Sequence, residues 1–290
     1  MKGQSTVISA VALTACVLLA LPGTASAVSV GFKFFGGYNS MNGGDINEGL
    51  KGWVDLYKAE AALGGAISNG DYKAFHAGWD AGGDLIIFFT PIIGIGFGGS
   101  FLQAQSSSEI TFTIPIGTAT IKVKPQVTAI PIRAGLHFAV PMGSFVNLTL
   151  NAGAEYYLAR VKYSLRFDVL GDWRQEEVNV DSKGKFGFCG GIGLEVKIHP
   201  NLSILLEGRG RYARLDGFEG SENDTYSSGP PDHENGKLWY AEIIPAPGYR
   251  FPILGLSDTA PPPDPSIPLS RLARLDINGF SALAGIMFRF

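Results

Sequence analysis

The stretch GFSALAGIMFRF, at residues 279–290, decides the fold because its side chains alternate in character along the chain. One set of alternate positions is apolar throughout and comprises Phe280, Ala282, Ala284, Ile286, Phe288 and Phe290. The positions between them are mostly small or polar and comprise Gly279, Ser281, Leu283, Gly285, Met287 and Arg289. A period of two is typical of a β-strand whose two faces meet different surroundings. The segment therefore predicts a strand with one strongly apolar face.

Seven upstream segments repeat this alternation, at residues 28–34, 75–89, 93–101, 129–140, 146–158, 185–198 and 202–212. Most of them are about ten residues or longer, whereas a globular strand is usually about five or six residues long and a tilted membrane-crossing strand needs about nine to eleven. Bulky Leu, Phe and Ile side chains occupy one face, and glycine and charged residues share the other. Because the interior of a small barrel is narrow, we expect the glycines and charges to point inward and the apolar face to meet lipid. The opposite orientation, a soluble lipocalin-like barrel, is the alternative.

The connections between these segments alternate in length, which is a second and independent indication. Three are short and contain the turn formers Pro, Gly or Asn, at residues 90–92, 141–144 and 199–201. The others are long, at residues 39–72, about 104–124 with a hairpin extension considered over 110–123, about 168–184, and 216–270. Short periplasmic turns and long external loops are typical of outer-membrane barrels.

Composition limits the remaining classes of protein. The chain has 290 residues, of which 46% are hydrophobic and 17% charged, a net charge of −3 and 39 glycines. This is too apolar for a disordered chain, and it offers no general basic surface for nucleic acid. After the N-terminus, no apolar run reaches the roughly 20 residues that a membrane-spanning helix needs.

Residues 1–27 are predicted to be a cleaved signal peptide, which leaves residues 28–290 as a single barrel domain. Lys2 precedes an apolar stretch at residues 7–21, and Ala25-Ser26-Ala27 fits the small residues of a cleavage site. A retained membrane anchor and a lipoprotein site at Cys16 are the alternatives. Once Cys16 is removed, Cys189 has no partner for an intrachain disulfide.

Taken together, the chain resembles the eight-stranded outer-membrane β-barrels, the group that includes the OmpA transmembrane domain, OmpX and OmpW. The leader, the eight alternating segments and the aromatic C-terminus carry this resemblance. It implies an all-β fold, an eight-stranded antiparallel transmembrane barrel with long extracellular loops, in a Gram-negative-type outer membrane. The implied partners are outer-membrane lipid, lipopolysaccharide and the barrel-insertion machinery, which would read Phe288 and Phe290 as an insertion signal.

Charged residues of the inward face are the first candidate site. We expect a charge network in the lumen, since an unpaired charge in a confined space costs several kcal/mol. Its candidate members are Arg133, Glu155, Glu195, Glu207, Arg209 and Arg211, with Lys33, Asp80, Asp84, Lys185 and Lys197 also inward. A narrow polar path or gate is the alternative. We expect no metal site from His76, Asp80 and Asp84 on one strand face, no catalytic residues and no cofactor.

The first and last long loops are the second candidate site. Residues 45–63 have the apolar spacing of an amphipathic helix, with Asp45 as the expected cap and Glu48 as its partner. The helix is expected either to pack on the rim or to cover the barrel mouth or the membrane surface. Four aromatic residues predict a loop surface that covers something or meets a partner, namely Trp53, Tyr57, Trp239 and Tyr240.

These patterns predict a non-enzymatic integral outer-membrane protein with a structural or surface-interaction role through its external loops. One alternative is a narrow channel or carrier for small solutes, hydrophobic ones included, as the resemblance to OmpW-like proteins suggests. A barrel enzyme acting on lipid is a further alternative.

Overall fold

The chain is described by a computed structural model that covers residues 28–114, 117–262 and 264–290. The predicted signal peptide and its two alternatives lie outside these residues. The described part contains one helix, α1, and seventeen strands. Their bounds are β1 Ser29–Ser40, α1 Asp45–Leu63, β2 Ile67–Asn69, β3 Ala77–Phe88, β4 Ile93–Gln105, β5 Ser108–Ile114, β6 Gly117–Pro141, β7 Val146–Val169, β8 Asp172–Asp181, β9 Lys185–His199, β10 Leu202–Tyr212, β11 Arg214–Leu215, β12 Glu219–Tyr226, β13 Asp232–Ile243, β14 Phe251–Ser257, β15 Leu269–Leu272, β16 Leu275–Asp276 and β17 Gly279–Arg289.

Antiparallel pairing follows a closed circuit through β1, β3, β4, β6, β7, β9, β10 and β17, which pairs again with β1. The predicted all-β antiparallel fold is therefore confirmed. The strand count exceeds the expected eight because the long connections pair as well: β2, β5, β8 and β12 to β15 extend the same sheet beyond the circuit. In the described residues, no helix is both long and apolar enough to cross a membrane.

The circuit has two unlike ends. The predicted short connections join β3 to β4, β6 to β7 and β9 to β10, and we call their side of the circuit the turn end. The other side, from which the long connections extend, is the loop end. Near the turn end the outward face is apolar and open, with Phe34 53% and Ile192 57% exposed. A soluble barrel would bury such side chains in its interior, so the lipocalin-like orientation is wrong.

Toward the loop end, the two longest strands reverse their polarity without changing which positions face inward. On β7 the inward side chains are polar as far as Glu155, and from Tyr157 through Val161 to Leu165 they are apolar or aromatic and buried. The outward side chains of β7 change in the opposite sense just after Leu158. β6 runs beside β7 over its whole length and changes at the matching level, where Ala129 pairs with Ala159.

The expected loop at residues 168–184 is wrong, because most of this segment is strand. There β7 continues to Val169 and turns into β8, which pairs along it. In the connection at 104–124, β5 and β6 form a hairpin, in agreement with the hairpin extension over 110–123. The connection at 216–270 was expected to be an uneven loop, but β12, β13 and β14 build a sheet outward from β8.

Helix α1 lies inside this outer half of the molecule, where Ile46, Leu50 and Val54 are fully buried in the apolar core. The expected cap was wrong. Gly44 occupies the N-cap and no side chain caps the helix. The Asp45 carboxylate instead pairs with the Arg271 guanidinium and accepts a 2.8 Å hydrogen bond from the Arg274 backbone amide. That pairing ties the start of the helix to the last long connection.

Candidate functional site

The middle of the lumen holds six buried charges, which we call the central charge layer. Its members are Lys33, Asp84, Arg133, Glu155, Glu207 and Arg209. Three are cations and three are anions, so the layer is formally neutral. Every one of these side chains is at most 10% exposed.

Contacts in this layer form one chain of ion pairs around the lumen. Arg133 Nε lies 2.6 Å from Asp84 Oδ1, and its Nη1 lies 3.4 Å from Glu155 Oε1. On the other side, Arg209 Nη2 lies 2.7 Å from Glu207 Oε1. Lys33 joins the two sides, because its ammonium contacts Glu207 and lies 3.7 Å from Asp84. Pairing of this kind is what allows charges to remain buried.

Phe35 fills the space between these charges. Its ring centre lies 4.7 Å from the Arg209 guanidinium, 4.9 Å from that of Arg133 and 5.4 Å from the Lys33 ammonium. Three cations around one aromatic ring are a favourable arrangement, since the ring faces carry partial negative charge. The ring itself is only 7% exposed.

A second polar group lies nearer the loop end. Arg211 Nη1 lies 3.5 Å from Asp80 Oδ2 and donates a 2.8 Å hydrogen bond to the Ser281 hydroxyl. Ser281 in turn donates to Asp80 at 2.8 Å, and Arg211 also contacts the Asn39 side-chain oxygen. These buried groups cross-link β1, β3, β10 and β17 above the central charge layer.

Toward the turn end the lumen becomes apolar. Ile86, Phe88, Ala139, Leu205 and Met287 are buried together across the interior, and we call them the apolar plug. A cavity of about 40 Å³ lies beside the central charge layer, and Lys33, His137 and Cys189 help to line it. A space of this size holds on the order of one or two water molecules.

Glu195 was expected in the same charge network, but it belongs neither to the central charge layer nor to the polar group around Arg211. It accepts hydrogen bonds from Asn147 at 2.9 Å and from the Ser203 hydroxyl at 2.8 Å, and Arg289 lies 3.4 Å away. This separate cluster lies at the turn end of the lumen.

At the loop end, α1 together with β12 to β15 forms what we call the outer cap. Asn47 fixes the helix, since its amide donates to the backbone oxygens of Asn42 and Phe75, both at 3.0 Å. The Asn47 oxygen accepts from the Phe75 amide and from the Tyr72 hydroxyl, both at 3.1 Å. Gly52 lies so close to β14 that an added Cβ would stand 1.6 Å from the Pro252 carbonyl oxygen. The outer cap is therefore closely packed against its helix.

The four aromatic residues expected to form a loop surface pack within this cap. Tyr240 is only 6% exposed and donates a 3.3 Å hydrogen bond to Glu48. Trp53 and Trp239 are half-buried and donate to backbone oxygens of β14, at 2.8 and 3.0 Å. Tyr57 packs on Phe167 with ring centres 4.4 Å apart. Trp53, Trp239 and Tyr240 thus find partners for their polar atoms inside the cap, whereas Tyr57 packs its ring against β7.

The structure thus brings four of the six predicted lumen charges into the central charge layer, namely Arg133, Glu155, Glu207 and Arg209, and it places Arg211 above them. The apolar plug was missed, although its signal was present: Leu205 and Met287 are large apolar residues at inward positions. Lys185 lies at the rim, 2.9 Å from Asp216. Phe290 is exposed at the turn end and lies edge-on to Phe32 at 6.4 Å. The reading of Phe288 and Phe290 as an insertion signal stays a prediction.

Comparison with known proteins identifies the family of the chain. The family model described as outer membrane protein beta-barrel domain matches residues 8–251. None of the curated proteins matches the chain. Among solved structures, the outer membrane protein OprG from Pseudomonas aeruginosa is similar with a TM-score of 0.37 and 11% identity, over 92% of this chain and 98% of that one. On the family match, the chain belongs to the outer membrane protein beta-barrel domain family.

Proposed function

We propose that this member of the outer-membrane barrel family is a closed, non-enzymatic barrel that serves envelope structure or surface contact through its outer cap. In this proposal, the eight strands of the closed circuit cross a Gram-negative-type outer membrane. The turn end faces the periplasm, and the outer cap lies outside the cell. The observation that carries the proposal is that the lumen is filled at successive levels by the Glu195 cluster, the apolar plug, the central charge layer and the outer cap.

The level of the outer membrane surface follows from the polarity reversal on β6 and β7. Leu158 is the last bulky apolar side chain on the outward face of β7, and Arg160 and Lys162 follow it at the next two outward positions. Cations just beyond an apolar belt are suited to the phosphate groups of lipopolysaccharide. We therefore propose lipopolysaccharide as a contact of this face, with the headgroup region beginning near residue 160.

Conductance of the purified protein in planar lipid bilayers tests the closed barrel. Protein whose folding has been checked by heat-modifiable gel migration should give no current steps above those of a protein-free bilayer. We also expect no current steps after deletion of residues 45–63, because the central charge layer and the apolar plug still fill the lumen. Reproducible steps from the full chain would refute the closed barrel and favour the narrow-channel alternative.

Flux of small apolar solutes into proteoliposomes tests the carrier alternative separately, since such solutes carry no current. Uptake equal to that of protein-free vesicles supports the proposal. Uptake that depends on the protein would contradict the proposal and favour the carrier alternative. Hydrolysis or acyl transfer on lipopolysaccharide by the folded protein would contradict the non-enzymatic assignment.

The C-terminal aromatic residues are proposed as the signal that the barrel-insertion machinery reads. Replacing Phe290 by Ala should slow assembly in reconstituted insertion machinery. The Phe280→Ala variant lies on the same face at the other end of the strand and serves as the control. Equal assembly rates for the two variants would contradict this role.

A further inference from the structure

An open groove crosses the outward surface where β7 changes its neighbour, and we call it the outer groove. β7 pairs with β9 as far as Tyr157 and with β8 from Arg160 onward. The groove at this fork has a volume of about 530 Å³ and is lined from β4, β6, β7 and the end of β8. Clefts that hold ligands have volumes of about 300–1,000 Å³. The outer groove is therefore large enough to hold part of a lipid.

The half of the outer groove nearer the turn end is apolar. Ile130 of β6 stands directly opposite Leu158 of β7, and Phe101 of β4 lines the same half. Ile130 and Leu158 are each 43% exposed on the outward face. Packing a hydrocarbon chain along these side chains would cover their exposed apolar surface. This half is therefore suited to the acyl part of a lipid.

The half nearer the loop end is polar and cationic. Thr128 stands opposite Arg160, one outward position beyond the apolar pair, and Gln126 stands opposite Lys162 at the next one. Each outward position advances along a strand by about 7 Å, so the lining changes from apolar to cationic within about 14 Å. A lipid with an anionic headgroup shows the same change of chemistry along its length.

Two lysines near this half have no acidic partner. Asp181 holds the Arg160 guanidinium, with Nε 2.6 Å and Nη2 3.0 Å from the two carboxylate oxygens. Within the residues that the structure describes, no carboxylate forms an ion pair with the Lys162 ammonium or with that of Lys124 on β6. Lys124 pairs with Ser164 and is thus a diagonal neighbour of Lys162. Long side chains reach across such a diagonal, so both ammoniums can contact one anion.

The charges around the two lysines leave room for an anion. Glu177 of β8 lies in the same row as Lys124 and accepts a 2.5 Å hydrogen bond from Gln175 Nε2. Lys124, Lys162 and Arg160 face Glu177 and Asp181, which leaves one positive charge in excess. Two ammoniums match a phosphate monoester, which carries about −1.5 to −2 charges at pH 7, better than a phosphodiester with a single charge. Lipid A carries phosphate monoesters, whereas common phospholipids carry a phosphodiester.

We propose that the outer groove binds one lipopolysaccharide molecule, with a lipid A phosphate on Lys124 and Lys162 and an acyl chain along Ile130 and Leu158. This inference rests on the proposed function, which places the groove at the outer leaflet, and it turns a general contact into a site of defined stoichiometry. Asp181 limits the affinity of the site, because it occupies the guanidinium of Arg160. Phosphate selects the headgroup, and the apolar half holds the chain beside it.

Native mass spectrometry of the folded full chain in uncharged detergent micelles tests the site with purified diphosphorylated lipid A. We expect saturable binding of one lipid A molecule per chain. Dephosphorylated lipid A and phosphatidylglycerol should each bind about tenfold more weakly, because they lack the phosphate monoester. No saturable binding by the folded wild type, or equal binding of phosphatidylglycerol, would overturn the proposal.

Single substitutions assign the residues. Lys162→Gln and Lys124→Gln should each weaken lipid A binding about tenfold, and Asp181→Asn should strengthen it, because Arg160 becomes free to bind phosphate. Lys51→Gln is the matched control, since it removes the same charge from a 62% exposed position on α1, and it should change binding by less than about twofold. Equal weakening by Lys51→Gln and the two groove variants would show general charge attraction and overturn the site.

Failure of this site and failure of the closed barrel are distinguishable. The groove variants change outward residues and leave the lumen intact, so they should keep the heat-modifiable migration of the wild type and give no current steps in planar bilayers. A folded, non-conducting barrel without lipid A binding would refute the groove alone. Current steps from a chain that still binds one lipid A would refute the closed barrel alone.

Discussion

Replacement of Glu207 by Gln tests whether paired charges hold the lumen together. The substitution keeps the shape of the side chain and removes one of three negative charges from the central charge layer. Lys33 then loses its contact with Glu207, and Arg209 loses an ion pair at 2.7 Å. Removing one partner of a buried ion pair costs about 3–5 kcal/mol, because the remaining charge is left uncompensated. We therefore expect the free energy of unfolding to fall by about that amount.

Urea unfolding in detergent micelles, followed by gel mobility and tryptophan fluorescence, gives this free energy. Glu60→Gln removes a carboxylate from the exposed side of α1 and should change stability by less than about 0.5 kcal/mol. Adding Lys33→Met to Glu207→Gln restores the neutrality of the layer, so the double variant should recover part of the loss. A loss below about 1 kcal/mol for Glu207→Gln, or no recovery in the double variant, would show that the layer is not a coupled network.

Three further results are expected. Leu50→Ala empties a fully buried position of α1 and should cost about 2–5 kcal/mol in cap unfolding, while Leu63→Ala, at an 81% exposed position, should be neutral within about 0.5 kcal/mol. Burial, then neighbouring carboxylates, raise the pKa of Glu176 to about 8 and of Glu222 to about 7, from an ordinary 4.5. Carboxyl groups with raised pKa values favour the folded state when protonated, so thermal unfolding of the cap should shift to lower temperature between pH 5 and pH 9; a rise would contradict this. A nitroxide on Ile192→Cys should be more accessible to oxygen than to a water-soluble nickel reagent, and the reverse order would contradict a lipid-facing position.

The sequence pattern predicted the strands well near the turn end and poorly near the loop end, and β7 shows why. Over residues 146–158, mostly polar residues oppose bulky apolar ones, and that contrast predicts both the strand and its orientation. Beyond Leu158 the alternation continues through Val161 and Leu165, but the apolar residues now occupy the inward positions. A strand that leaves lipid for water must exchange the polarity of its two faces. The outward apolar face, from which the strand was predicted, therefore ends while the strand itself continues.

The lumen charges were predictable as inward residues, but the register that sets their contacts was not. Pairing depends on the register between strands, which the sequence does not specify. Arg133 stands directly opposite Glu155 on the neighbouring strand. Its shorter contact is with Asp84, which lies on β3 with the whole of β4 between them. Sequence separation and strand order both argue against that contact until the register is known.

A glycine explains how that contact forms. Gly98 on β4 stands between Asp84 and Arg133 in one row across three strands. A Cβ added at Gly98 would lie 2.0 Å from the Asp84 carboxylate oxygen, so any other residue there would displace the acid. Without a side chain at the middle position, Asp84 and Arg133 meet at 2.6 Å above the β4 backbone. The inward glycines thus do more than fit a narrow barrel. They let charges on alternate strands reach each other, and this allows eight strands to enclose a neutral ionic layer.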